Sequence, residues 1–144
     1  MEKESAIKKI CKLERVVKRQ FDKLSGSTGV NGAEGRVIHF LILNQDKDIY
    51  QKDVEIGFDL RPSTASELLK KMESKGYITR ETSKTDARLK KIILTDLARQ
   101  HEDRIFEEIG NLEHYAEKDI DPRDLEAFDR VAESILRNLR DFKN

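Results

Sequence analysis

The sequence has 144 residues, 37% hydrophobic and 39% charged, a length that serves one compact domain or two closely joined lobes and excludes a large multidomain enzyme. Basic and acidic residues balance at 28 each, mean hydropathy is −0.71, and no apolar run approaches the roughly 20 residues needed to cross a bilayer. The single cysteine, Cys11, excludes an internal disulfide and fits a reducing compartment; the charged first nine residues are unlike a secretory signal, so a cytoplasmic location is expected.

From about Glu4 to Leu24, Ile7, Ile10, Leu13, Val17, Phe21 and Leu24 recur at spacings of three and four, which predicts a long amphipathic helix. Ser25 to Gly32 breaks it. Asn31 followed by Glu34 has the form of a capping box and opens a second helix that runs to about Gln45. Val37 to Leu43 is apolar except for His39, so this helix is expected at the centre of the core. After a turn at Asp46 to Asp48, Val54, Ile56 and Phe58 predict a short helix over Tyr50 to Phe58.

Pro62 suits a first helical position, and Ala65, Leu68, Leu69 and Met72 then fall on one inward stripe. Ser63, Ser66, Glu67 and Lys70 form the opposite stripe, small residues first, and Gly76 supplies the stop. Tyr77–Thr82 and Leu89–Thr95 are β-prone runs flanking a polar tip from Ser83 to Arg88, a predicted hairpin. Helix, helix, hairpin is the order of a winged helix-turn-helix. Charge collects here: residues 61–95 hold nine basic and four acidic groups, whereas residues 96–144 hold eight and fourteen. Such separation suggests a local polyanion-binding surface; a solvated charged face is the alternative that charge counts leave open.

Beyond Thr95 the pattern is helical again. Ile105, Ile109, Leu112 and Ala116 form one stripe, and Asp121-Pro122 is another capped start. Leu125, Phe128, Ala132, Ile135, Leu139 and Phe142 then repeat at helix-seam spacing, a face that seeks a partner helix. The first helix and the last two are expected to pack together across a two-fold axis, with purely intrachain burial as the alternative. The interface residues expected are Ile7, Ile10, Leu13, Val17, Leu125, Phe128, Ala132, Ile135 and Leu139.

Gly76-x-x-x-Arg80, then Asp86-x-Arg88, then Leu94-Thr95, preceded by Ser63-Thr64-Ala65-Ser66 and Leu68-Leu69-Lys70-Lys71-Met72-Glu73, resembles the signature of the MarR-type winged-helix regulators. Ala98 stands where members of that family usually place a glycine. The resemblance implies a mainly α fold with a small β-hairpin wing: a winged helix-turn-helix lobe over residues 31–95, and a helical dimerisation lobe from residues 1–30 and 96–144. It implies a DNA-binding homodimer that recognises a pseudo-palindromic operator, represses transcription and answers to a small effector, with no other cofactor and no membrane partner.

On that reading Arg61, Ser63, Thr64, Ser66, Glu67, Lys70 and Lys71 lie on the recognition helix, where short side chains and the positive helix end meet phosphates or base edges. Glu67 is expected to pair with Lys70 or Lys71 rather than to read a base. On the wing, Arg88 enters the minor groove with Asp86 orienting it, Lys84, Lys90 and Lys91 attract phosphates, although Lys90 and Lys91 alternate faces and cannot both point at DNA, and Arg80 touches a phosphate or braces the wing.

Other signals are weaker. Gly26, Gly29, Gly32 and Gly35 lack the Lys-Ser/Thr ending of a phosphate loop, and His39, His101 and His114 lack metal-ligand spacing, so no metal is expected. His39, inside an apolar run, is the candidate effector contact. Cys11 is expected to pack, with a cysteine-based oxidant sensor as an alternative. A winged-helix module that binds protein rather than DNA is the second alternative. No Ser-His-Asp set, paired carboxylates or nucleotide fingerprint supports an enzyme.

Overall fold

The computed structural model describes residues 3–24 and 29–143, so the expected break from Ser25 to Gly32 lies partly outside the described residues, as does Gly26 of the glycine run. Helix α1 (Ala6–Leu24) carries its apolar stripe as expected, yet none of its residues is buried. Only its C-terminal end, through Phe21 and Leu24, packs against the core. Cys11 is correspondingly exposed, a correction to the expected packing: the turn of α1 that bears it lies beyond the part of the helix the core reaches.

Helix α2 (Gly32–Leu43) opens with the expected capping box. The Asn31 side chain accepts from the Glu34 amide at 2.9 Å, and Glu34 Oε1 accepts from the Asn31 amide at 3.0 Å, satisfying two of the donors a helix start leaves unpaired. Its apolar run buries Val37, Ile38 and Leu41 at the centre of the core. Helix α3 (Gln51–Phe58) begins where Asp53 accepts from the Tyr50 amide at 2.8 Å, and closes at Asp59, in the left-handed region at φ 51°, a conformation short polar side chains tolerate.

Helix α4 (Pro62–Ser74) starts on its proline and buries Ala65, Leu69 and Met72, with Leu68 partly covered. Gly76, at φ +83°, reverses the chain so that the Tyr77 amide reaches the Met72 carbonyl at 2.9 Å. Strands β1 (Ile78–Thr82) and β2 (Lys90–Leu94) pair antiparallel with Ile78 opposite Leu94 and Arg80 opposite Ile92. The Ile92 amide also bonds the Ile49 carbonyl at 2.8 Å, fastening the hairpin to the entry of α3.

Thr95 caps a short helix, α5 (Asp96–Arg99), that periodicity alone does not separate from the longer helix after it. That helix, α6 (Glu102–Ala116), buries Ile105 and Ile109. Helix α7 (Pro122–Asp141) starts with Asp121 accepting from the Arg123 amide at 2.8 Å and buries no residue. The chain divides into two compact units, Met1–Gly110 and Asn111–Asn144. The first contains the whole core cluster, which joins α2, α3, α4 and both strands to Ile105 and Ile109. Among the described residues no helix is long and apolar enough to cross a membrane.

Candidate nucleic-acid interface

Two elements of the first unit offer polar and cationic side chains to solvent: the N-terminal half of α4 and the β1–β2 tip. The inward stripe of α4 is held by the core, so Ser63, Thr64, Glu67, Lys70 and Lys71 are exposed, with Arg61 exposed at the N-cap; Ser66 is half-buried. The start of α4 is fixed by Gln51, whose side-chain amide donates to the Pro62 carbonyl at 3.2 Å and ties the two helices of the helix-turn-helix at their N-termini. No local sequence signal marks that bond.

The exposed side chains of α4 divide into two rows. Ser63 and Lys70 lie on the outer row. Thr64, Glu67 and Lys71, with half-buried Leu68, instead line an open cleft of about 360 Å³ against Asn31, Arg36, Phe58 and Leu60. The Glu67 carboxylate pairs with neither Lys70 nor Lys71, a correction to the expected ion pair. Helical neighbours three and four apart can meet, but exposed pairs contribute so little that long side chains stay solvated.

The wing is more tightly built. The Ser83 amide donates to the Leu89 carbonyl at 2.8 Å, and Ser83 Oγ accepts from the Thr85 and Asp86 amides, which close the loop. Asp86 then receives Arg88 three times: from its backbone amide at 3.0 Å, from Nε at 3.1 Å and from Nη2 at 3.1 Å. This is the orienting pair expected from the spacing. The guanidinium is directed by a fork-to-fork contact yet 90% of its side-chain surface is open to solvent. The hydrogen bonds from the Arg88 side chain and then its backbone hold the Asp86 carboxyl below its ordinary value.

Lys84 and Lys90 are exposed, with no partner for either ammonium among the described residues. Lys91 is held by Asp48 at 3.0 Å, which raises the pKa of its ammonium, so of the two adjacent lysines only Lys90 remains uncommitted among the described residues. Arg80 lies on the inner side of β1 opposite Ile92; its Nε and Nη2 are buried and meet no acceptor among the described residues. The Thr95 hydroxyl donates to the Gly76 carbonyl and accepts from the Ala98 amide, joining the end of α4 to the base of the wing. Ala98, in the position of the family's glycine, is fully buried.

Glu34 has a distant partner that periodicity does not find. Beyond its capping role its carboxylate reaches Lys75, 41 residues away, at 2.9 and 3.0 Å. His39 is half-buried and its ring packs on Phe106, with centroids 5.6 Å apart. A pocket of about 20 Å³ lies among Phe21, Leu24, Val30, Gly35, His101 and Ile105. No group of three or more His, Cys, Asp or Glu side chains among the described residues is disposed to hold a metal.

Outside the first unit's core, apolar surface stays open. On α1, Ile7, Ile10, Leu13 and Val17 are exposed, Ile7 by 59%. On α7, Phe128 and Leu139 are exposed, Phe128 by 62%, while Leu125, Ala132 and Ile135 are half-buried.

The sequence profile of the MarR family matches residues 28–89, from the end of the α1–α2 connection through the wing tip. No curated protein matches the sequence. Among solved structures the chain is similar to the transcription regulator MarR from Oenococcus oeni PSU-1, at 23% identity and TM-score 0.84 over 91% of this chain and 98% of that one. It is similar to S. aureus MepR in a DNA complex, at 18% identity and TM-score 0.84 over 94% and 96% of the two chains. It is also similar to the heme sensor protein PefR from Streptococcus agalactiae in complex with heme, at 26% identity and TM-score 0.61 over 99% and 100%. The first two likenesses establish the fold, a helical winged-helix architecture with a two-stranded wing.

Proposed function

We propose that this chain is a MarR-type transcription regulator that works as a homodimer, grips one pseudo-palindromic operator with two winged lobes and represses transcription. The observation that carries the reading is Arg88, fixed in direction by Asp86 and left 90% exposed at the wing tip. A guanidinium so directed fits the narrow, electronegative minor groove. Ser63 and Lys70 on the outer row of α4 fit the major groove beside it, and Arg61, Ser66, Lys84 and Lys90 fit the phosphates around it. Arg80, whose Nε and Nη2 are buried on the inner side of β1, suits a brace of the wing better than a phosphate contact.

The S. aureus neighbour, solved on DNA, supports the same use of this fold here. Dimerisation is supported by the apolar stripes of α1 and α7, where Ile7, Ile10, Leu13 and Val17 on the one and Phe128 and Leu139 on the other are exposed in the isolated chain. By function, residues 31–95 read DNA while 1–30 and 96–144 dimerise. A cytoplasmic location accompanies a DNA target. The heme-sensing neighbour supports modulation by a small effector, with His39 a candidate contact; an effector acts only through unequal affinity for the two head separations.

The test is recovery and sequencing of genomic fragments retained by the purified protein, followed by titration in salt. With roughly three phosphates neutralised per winged lobe, by Arg61, Lys84 and Lys90, and roughly six per dimer, affinity should fall about 10³-fold between roughly 50 and 200 mM salt. Weak salt dependence, with the retained fragment bound no better than random duplex, would leave the winged lobe as a protein-binding module.

A further inference from the structure

Glu34 is the one buried charged side chain among the described residues, with no solvent exposure. Its carboxylate joins two elements: Oε1 accepts from the Asn31 amide that opens α2 and from Lys75 Nζ at 3.0 Å, while Oε2 lies 2.9 Å from the same ammonium. Lys75 is the C-cap of the recognition helix. A cap needs only the first of these bonds. The second joins that buried carboxylate to an ammonium whose own side chain is 43% exposed, a partly screened pair that contributes little net stability.

We infer that Glu34 and Lys75 form a positioning pair, which fixes the recognition helix against the end of α1 and thereby sets the half-site separation the dimer accepts. The inference rests on the proposed DNA-binding dimer. Its structural basis is a chain of two stiff contacts within the first unit. Gly32, the first residue of α2, is pressed on α1: a Cβ there would lie 2.9 Å from the Phe21 carbonyl carbon. Arg36, one turn on, lays its guanidinium 4.6 Å from the centre of the Phe21 ring. The end of α1 and the first turn of α2 therefore move as one body.

From that turn Glu34 holds Lys75, and Thr95 locks the same helix end from the other side. Its hydroxyl bonds the Gly76 carbonyl, and its amide bonds the Tyr77 carbonyl at 3.1 Å. The Lys75 ammonium meets a carboxylate whose Oε1 is already held by the Asn31 amide, so the end of α4 is tethered to the first turn of α2 by a charged contact in addition to apolar packing. A displacement of α1 is thus passed to α4 rather than absorbed between them.

The experiment measures binding of the full-length protein to duplexes carrying its recovered operator with the half-site separation changed by single base pairs. The wild type should favour one separation by about tenfold or more. Glu34→Gln keeps the shape and the acceptor for the Asn31 amide but removes the charge, and should reduce that preference to about threefold or less, with binding to random duplex and dimer mass retained. Lys75→Arg preserves the pair and should preserve the preference. Should Glu34→Gln not fold, the neutral double variant Glu34→Gln/Lys75→Gln replaces it. A uniform loss of affinity with the separation profile unchanged would make the pair merely structural and overturn the inference. A wild type that binds no duplex overturns the DNA reading itself, and does so before any variant is made.

Discussion

Arg88 and Asp86 separate a functional role from a structural one at a single pair of side chains. Both lie on an exposed loop, where an ion pair contributes little to stability. Arg88→Ala should therefore leave thermal unfolding nearly unchanged while weakening operator binding roughly tenfold, measured by fluorescence anisotropy. Equal affinity for both proteins would remove the wing from the mechanism. The same pair has a titration signature. Because Arg88 lowers the folded-state pKa of Asp86, the small stabilisation is present above the ordinary carboxylate value and is lost only as pH falls through the depressed one. By carboxyl NMR, Asp86 should titrate below the ordinary range in the wild type and move up towards it in Arg88→Ala. Lys91 shows why residue type alone does not assign function: it belongs to the same basic run as Lys90, but its ammonium is paired with Asp48, brought up by the chain before α3.

The helices differ in what holds them. Helix α2 is defined by burial on several sides and by a capping box, and its start tolerates no added volume. Gly32→Ala would set a Cβ 2.9 Å from backbone of Phe21, which cannot swing away as a side-chain tip could. A loss of about 1–3 kcal/mol is expected in urea unfolding, and an unchanged midpoint would mean that α1 yields at that contact. Helices α1 and α7 are the opposite case, amphipathic yet without a buried residue. Phe128 is 62% exposed in the isolated chain, so Phe128→Glu removes little from the monomer's packing. It should give a monomer by light scattering and weaken operator binding about 10²-fold or more, because the second head loses its tether. A variant that stays dimeric would show that the seam lies elsewhere on the chain.

For the whole molecule the zero net charge is misleading. Residues 61–95, with nine cations against four anions, are succeeded by an acidic C-terminal third with eight against fourteen, so the chain is electrostatically divided while formally neutral. That division allows steep salt dependence in a protein whose overall composition argues against a polyanion partner. It also bears on regulation. On the proposed reading, two lobes that read DNA only when correctly separated need a connection from the dimerising helices to the reading helix, and Gly32, Arg36, Glu34 and Lys75 would supply one within the first unit.

Periodicity and local chemistry determined most of the elements. The stripes of α1, α4 and α7, the Asn31–Glu34 box, Pro62 and Gly76 at the ends of α4, and the hairpin around Asp86 and Arg88 are all written in residues within a turn or a loop of one another. Their energies come from neighbours in the chain, so spacing suffices to read them. What only the tertiary structure decided are the partnerships of polar groups far apart in sequence: Glu34 with Lys75, Asp48 with Lys91, Gln51 with the Pro62 carbonyl, and Arg80 left with no acceptor among the described residues. A charge has no preferred partner until packing fixes its position and dielectric surroundings, and neither is set by the residues beside it.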